Sequence, residues 1–97
     1  MVHYKLSNAA TSDIIGIYKY GLNQFGERQA KKYINELELF LNQVISNQNL
    51  ARNASMFARS LKYNIFKKHV IFYHVDDKNS IFVIRILGSR MNFIEHI

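Results

Sequence analysis

Two apolar runs near the C-terminal end, residues 69–75 and 81–87, constrain this chain most, because each is apolar on both faces of an extended strand. The intervening Asp76-Asp77-Lys78-Asn79-Ser80 is rich in turn formers, so the two runs are predicted to pair as an antiparallel hairpin. In the second run Phe82, Ile84 and Ile86 alternate with Ile81, Val83, Arg85 and Leu87. The first run sets Val70, Phe72 and His74 against His69, Ile71, Tyr73 and Val75. A sheet with two apolar faces has to be covered twice.

The rest of the chain supplies one cover. Val2, Tyr4 and Leu6 alternate with His3 and Lys5, which predicts a short half-buried strand. Ser7 and Asn8 offer N-cap oxygens, and Asp13 puts negative charge early in the following helix, where the helix dipole favours it. Ala10, Ile14, Ile17, Tyr18, Leu22 and Phe25 form one helical stripe ending at Gly26. From Glu27 a second stripe runs through Ala30, Tyr33, Ile34, Leu37, Leu41, Val44 and Ile45, with Asn47 and Asn49 as terminators. So short a connection makes the two helices an antiparallel hairpin. A polar stretch, Asn47 to Ser60, leads to strands at about 61–66, 69–75 and 81–87, with Lys67-Lys68 an unusual tight turn lacking Gly or Asn. The predicted order is β-α-α-β-β-β, an α+β fold ending in a three-stranded antiparallel meander. One helical hairpin covers one face of the sheet. The other face, assigned here to His69, Ile71, Tyr73, Val83 and Arg85, is expected either to meet a partner or to be covered by the 47–60 loop or the C-terminal tail.

Composition bounds the function. Ninety-seven residues, 48% hydrophobic and 21% charged, suit a single globular domain spanning 1–97. No window approaches the roughly 18 apolar residues of a membrane span, and the polar Met-Val-His-Tyr-Lys-Leu start is unlike a signal peptide, so a cytoplasmic location is expected. The chain has no cysteine, and His3, His69, His74 and His96 are scattered without paired acidic spacing; neither a metal site nor a cofactor is expected. The net charge of +6 is uneven: +1 over residues 1–50 and +5 over residues 51–97. Such asymmetry suits an acidic partner, either nucleic acid or an acidic protein surface.

Four segments then carry a family resemblance. Tyr-Lys-Leu-Ser-x-x-Ala-x-x-Asp-Ile from Tyr4, Tyr-x-x-x-x-Phe-Gly-x-x-Gln-Ala from Tyr20, His-Val-Ile-Phe-Tyr from His69, and Ile-x-Val-Ile-Arg-Ile-Leu-x-x-x-Met from Ile81 occur in the order found in ParE toxins. The chain resembles that branch of the RelE/ParE toxin–antitoxin superfamily over essentially its whole length. The resemblance implies a helical hairpin packed on an antiparallel sheet and a role in plasmid or chromosome maintenance. It also implies a ParD-like antitoxin that wraps and neutralises the toxin; the face of His69, Ile71, Tyr73, Val83 and Arg85 read from the strand alternation is then its expected contact. ParE-type toxins inhibit DNA gyrase, trapping it on cleaved DNA; RelE-type relatives cleave mRNA on the ribosome.

Metal-free RNA cleavage needs a base for the ribose hydroxyl, a cation for the phosphate and an acid for the leaving oxygen. Arg90 matches the arginine that RelE-type enzymes carry after the last strand, and His69 and His96 are candidate acid and base. The sheet arginine of that branch is replaced by the apolar Val70-Ile71-Phe72, and Phe93 stands where an ionisable group would serve. The set is incomplete, which favours binding over catalysis. Under the ParE reading the target contact falls on Arg90, Met91 and Asn92. Gly88 and Asn92 stand where ParE toxins commonly have histidine and aspartate, removing one side chain and one charge from that contact. A third expectation is a non-toxic member that serves only in transcriptional autoregulation with its antitoxin.

Overall fold

A computed structural model describes residues 4–46, 52–54, 60–75 and 80–88. Its elements are β1 (Tyr4–Leu6), α1 (Asn8–Phe25), α2 (Glu27–Ser46), β2 (Arg52–Asn53), β3 (Lys62–Phe66), β4 (His69–Val75) and β5 (Ile81–Gly88). The strands form one sheet in the order β1-β5-β4-β3-β2, and the helical hairpin packs on one side of it. β1 runs parallel to β5, and every other pairing is antiparallel. The expected order of elements is present, with β2 as an addition.

The helical hairpin follows from its ends. Ser7 is the N-cap of α1, its Oγ accepting the Ala10 N–H at 2.9 Å. Gly26 sits at φ 91°, a left-handed conformation that costs other residues about 1 kcal/mol, and its N–H reaches the Leu22 carbonyl at 3.2 Å. α2 therefore starts one residue after α1 ends. Gly21 lets the helices approach closely, since a Cβ there would lie 3.2 Å from the Ala30 Cβ.

The main core joins Ala10, Leu37, Leu41 and Val44 of the helices to Phe66, Ile71, Tyr73, Ile81, Val83 and Ile86 of the sheet. A smaller cluster on the opposite face holds Ala54, Leu61, Val70, Phe72 and Leu87. This reverses the expected assignment of faces. Ile71, Tyr73 and Val83, expected on an open face, lie under the helices with 0% exposure. Ala54, from the 47–60 stretch, joins Leu61 in the cluster on the opposite face, whereas the helices cover the face for which a loop or tail was expected. Tyr73 donates its hydroxyl hydrogen bond to Asn64 Oδ1, and burial pushes the phenol up to about 12, so it remains a neutral donor.

Strict alternation fails in β5 for a visible reason. Tyr73 pairs with Val83 but Phe72 pairs with Arg85, leaving Ile84 as the extra residue of a β-bulge. Ile81 and Val83 face the helices before the bulge and Ile86 does after it, whereas Leu87 joins the opposite cluster. In α1 the expected stripe also departs from the core. Ala10 is buried, while Leu22 and Phe25 at its C-terminal end are exposed.

β2 is two residues long, Arg52 opposite Tyr63 and Asn53 opposite Lys62, and the Ala54 N–H to Leu61 carbonyl bond (2.9 Å) continues the pairing. Adjacent positions in β5 give a clean test of which face is core. Val83→Asp is expected to abolish cooperative thermal unfolding, because an unpaired carboxylate would be buried at a cost of several kcal/mol. Phe82→Asp, at a position 42% exposed, should retain a two-state melt monitored by circular dichroism. Equal tolerance of both changes would contradict the assignment of faces.

Candidate functional site

Three features of the described residues bear on function: the ion pair that closes the sheet edge, the outward sheet face, and a groove beside the β3–β4 turn.

β1 pairs only with Ile81–Val83, and among the described residues no strand lies beside the later half of β5 on that side. The start of α1 supplies the missing partners. The Ser7 N–H donates to the Val83 carbonyl at 2.9 Å, and the Ser7 hydroxyl donates to the Ile84 carbonyl at 2.6 Å. Asp13 accepts from Arg85 Nε and Nη2, each at 2.9 Å, and from the Ile86 N–H at 2.9 Å. The carboxylate beside it holds the Arg85 guanidinium above its ordinary range. Asp13 thus pins a helix to a strand, a larger role than complementing the helix dipole. Arg85, expected at a partner contact, is engaged within the protein.

The outward face carries Ile65 and Phe82 largely exposed, with Tyr63 and Ile84 half-buried around Val70, Phe72 and Leu87. These are aliphatic and aromatic side chains from three strands, a composition suited to a protein partner. Sequence alternation had assigned this face to the helices.

The groove lies where the last turns of α1 and the first turns of α2 meet the Lys67-Lys68 turn. Its volume is about 420 Å³, with walls that include Ile17, Phe25 and Ala30 and a rim that includes Lys32, Lys67 and Lys68. Lys67 occupies φ 52°, which is costly for a side-chain-bearing residue. Three contacts offset that cost. The Lys67 ammonium pairs with the Glu36 carboxylate and lies 5.3 Å from the Tyr33 ring centroid and 5.4 Å from that of Phe66. Its hydrogen bond is the main reason the Glu36 carboxyl is held below the usual range. The turn works with lysine because α2 holds it.

His69 also borders this groove, on the helix side of the sheet. Its Nδ1 lies 2.6 Å from the Tyr33 hydroxyl, and burial lowers its pKa. Burial raises the Tyr33 phenol, a shift partly opposed by a backbone hydrogen bond from Lys68. Both groups stay neutral, and which of them donates in this hydrogen bond follows from the imidazole tautomer. Tyr33 entered the sequence reading as one position of a core stripe. Gln29, Lys32, Tyr33 and Glu36, spaced by three and four, mark the face that meets the turn.

Arg90, Met91, Asn92 and His96, expected as target-contact or nuclease residues, lie outside the described residues. Among the described residues no group of three or more His, Asp or Glu side chains could hold a metal ion, and no helix is long and apolar enough to cross a membrane.

A helical hairpin on a five-stranded sheet with a parallel N-terminal strand defines a fold shared with a solved structure described as a chromosomal ParDE TA system from P. aeruginosa. The two superimpose with a TM-score of 0.77 at 17% identity, over 93% of this chain and 98% of that one. The sequence is 27% identical over 89 residues to Toxin ParE1 of Mycobacterium tuberculosis (strain CDC 1551 / Oshkosh), covering 92% of this chain and 91% of that toxin. It is 26% identical over 97 residues to Toxin ParE1 of Caulobacter vibrioides, covering 100% of this chain and 99% of that toxin. The family model for the ParE toxin of the type II toxin–antitoxin system parDE matches residues 4–93. The chain belongs to the ParE toxin family.

The pH dependence of stability tests the environment of His69. Its folded pKa lies below the ordinary value near 6.5, so the unfolded chain binds more protons as pH falls through that value. Its neutral state costs nothing above about pH 6.5, and acid progressively favours unfolding. The thermal midpoint is expected to fall between about pH 7 and pH 5.5, and His69→Gln should flatten that fall. An unchanged slope in the variant would rule out His69 as its source.

Proposed function

We propose that this ParE-family toxin acts by binding DNA gyrase and holding it on cleaved DNA, and that a ParD-like antitoxin neutralises it. The observation that carries the reading is the family match from Tyr4 to Phe93, which spans the helical hairpin, the sheet and the segment after β5. The chemistry of the described residues is in keeping with it. The outward face offers Tyr63, Ile65, Phe82 and Ile84 to a protein surface, while Arg85 is committed to Asp13 and His69 to Tyr33. A binding inhibitor needs complementary surface and no assembled acid and base.

In this reading Arg90, Met91 and Asn92 contact the target. An arginine there pairs with an acidic or phosphate group, and a methionine fills an irregular apolar pocket. The antitoxin contact shifts from Ile71, Tyr73 and Val83, which are core, to side chains that solvent reaches.

Two measurements test the reading. Purified toxin added to gyrase and supercoiled DNA should accumulate cleaved complexes, and Arg90→Ala should reduce that yield by about tenfold or more, the loss of one good charged contact. Pulse labelling after induction should show DNA synthesis stopping before protein synthesis. Translation stopping first, abolished by His69 or His96 substitution, would point to mRNA cleavage instead. Growth unaffected by high expression would point to a member that acts only in autoregulation.

A further inference from the structure

The groove beside the Lys67-Lys68 turn combines two chemistries. Its inner wall is apolar, with Ile17 and Ala30 lining it and the Phe25 ring 64% exposed at its mouth. Its rim carries the ammonium groups of Lys32, Lys67 and Lys68. Among the described lining residues Glu36 is the one carboxylate, and it is matched by Lys67. The balance at the rim is therefore positive, carried by Lys32 and Lys68. The Tyr33–His69 hydrogen bond and the Lys67–Glu36 pair join turn to helix, so the groove is held open before anything enters it.

We propose that this groove is the anchor point for an acidic segment of the antitoxin, which inserts one large apolar side chain beside Phe25 and sets its carboxylates against Lys32 and Lys68. The proposal rests on the reading that a partner protein neutralises the toxin, and it names where and by what chemistry. Charge complementarity selects the occupant. A second copy of this chain, at +6, would bring like charge to a positive rim. A nucleic acid strand would match the rim with its phosphates but offers little to fill an inner wall that presents chiefly apolar contact. A peptide with alternating acidic and apolar residues satisfies both wall and rim. The volume of about 420 Å³ is enough for one large side chain and the backbone flanking it.

The test uses the toxin chain and a purified cognate ParD-like antitoxin, with affinity measured by titration calorimetry. Lys32→Glu combined with Lys68→Glu should weaken binding by about tenfold or more at low salt, with a smaller difference at high salt. Phe25→Ala should weaken it by a similar factor, with less dependence on salt. All three positions are exposed, so the melting curves should match wild type. The double variant should remain able to arrest growth yet escape rescue by the antitoxin. Binding of both variants within about twofold of wild type would overturn the proposal while leaving the antitoxin reading standing. Failure of wild-type toxin to bind at all would overturn that reading itself, and this proposal with it. Displacement of the antitoxin by a short single-stranded oligonucleotide that loses affinity for the double variant would assign the groove to nucleic acid and overturn the proposal.

Discussion

The carboxylate of Asp13 is the interaction on which this fold turns. β1 pairs with β5 only as far as Val83, and beyond that point the backbone groups of β5 that face α1 need other partners. Asp13 accepts the Ile86 N–H and clamps Arg85 through two nitrogens, while Ser7 engages the Val83 and Ile84 carbonyls. Two side chains from the first turns of one helix thereby complete a strand more than 70 residues later in the chain. They also fix how α1 lies on the sheet, and with it the helical hairpin. With the ion pair's side chains only 22% and 13% exposed, solvent screens it weakly.

The bulge at Ile84 belongs to the same arrangement. By inserting one residue it exchanges the faces of everything after it, so Ile86 enters the core and Leu87 the opposite cluster. The sequence carries no sign of this shift, because both alternations in residues 81–87 are apolar. That is why the strand positions were legible and the identity of the core face was not. The helical hairpin was legible because its punctuation is local: a serine cap, a glycine with positive φ, and stripes at three- and four-residue spacing. Asp13 was read locally too, as a charge in a helix, and its real partners lie on β5. β2 left no signal, since two polar residues, Arg52 and Asn53, hold no period. Lys67 looked wrong for a tight turn until Glu36, Tyr33 and Phe66 stood around it.

The corrected faces redistribute function over the surface. What sequence alternation offered to a partner, Ile71, Tyr73 and Val83, is the buried interior, and Val70, Phe72, Phe82 and Ile84, which it gave to the helices, lie on the outward side with Tyr63 and Ile65. The helical side keeps a second region of interest where α1 runs past the sheet and Phe25 stands beside a lysine-rimmed groove. Both regions are preformed by contacts within the chain. A small toxin that works by occupying surfaces on larger partners needs this kind of rigidity, since ordering a surface on binding costs affinity.

Native-state amide hydrogen exchange at Ile86 tests the central claim most directly. If Asp13 completes the edge of β5, this amide exchanges only through global unfolding, as slowly as the amides of β4. In Asp13→Ala it should lose that protection, while amides of the helical hairpin away from Asp13 hold theirs relative to the variant's own stability. An Ile86 amide that exchanges in wild type as fast as an open strand edge would contradict the account, and so would one that stays equally protected without Asp13.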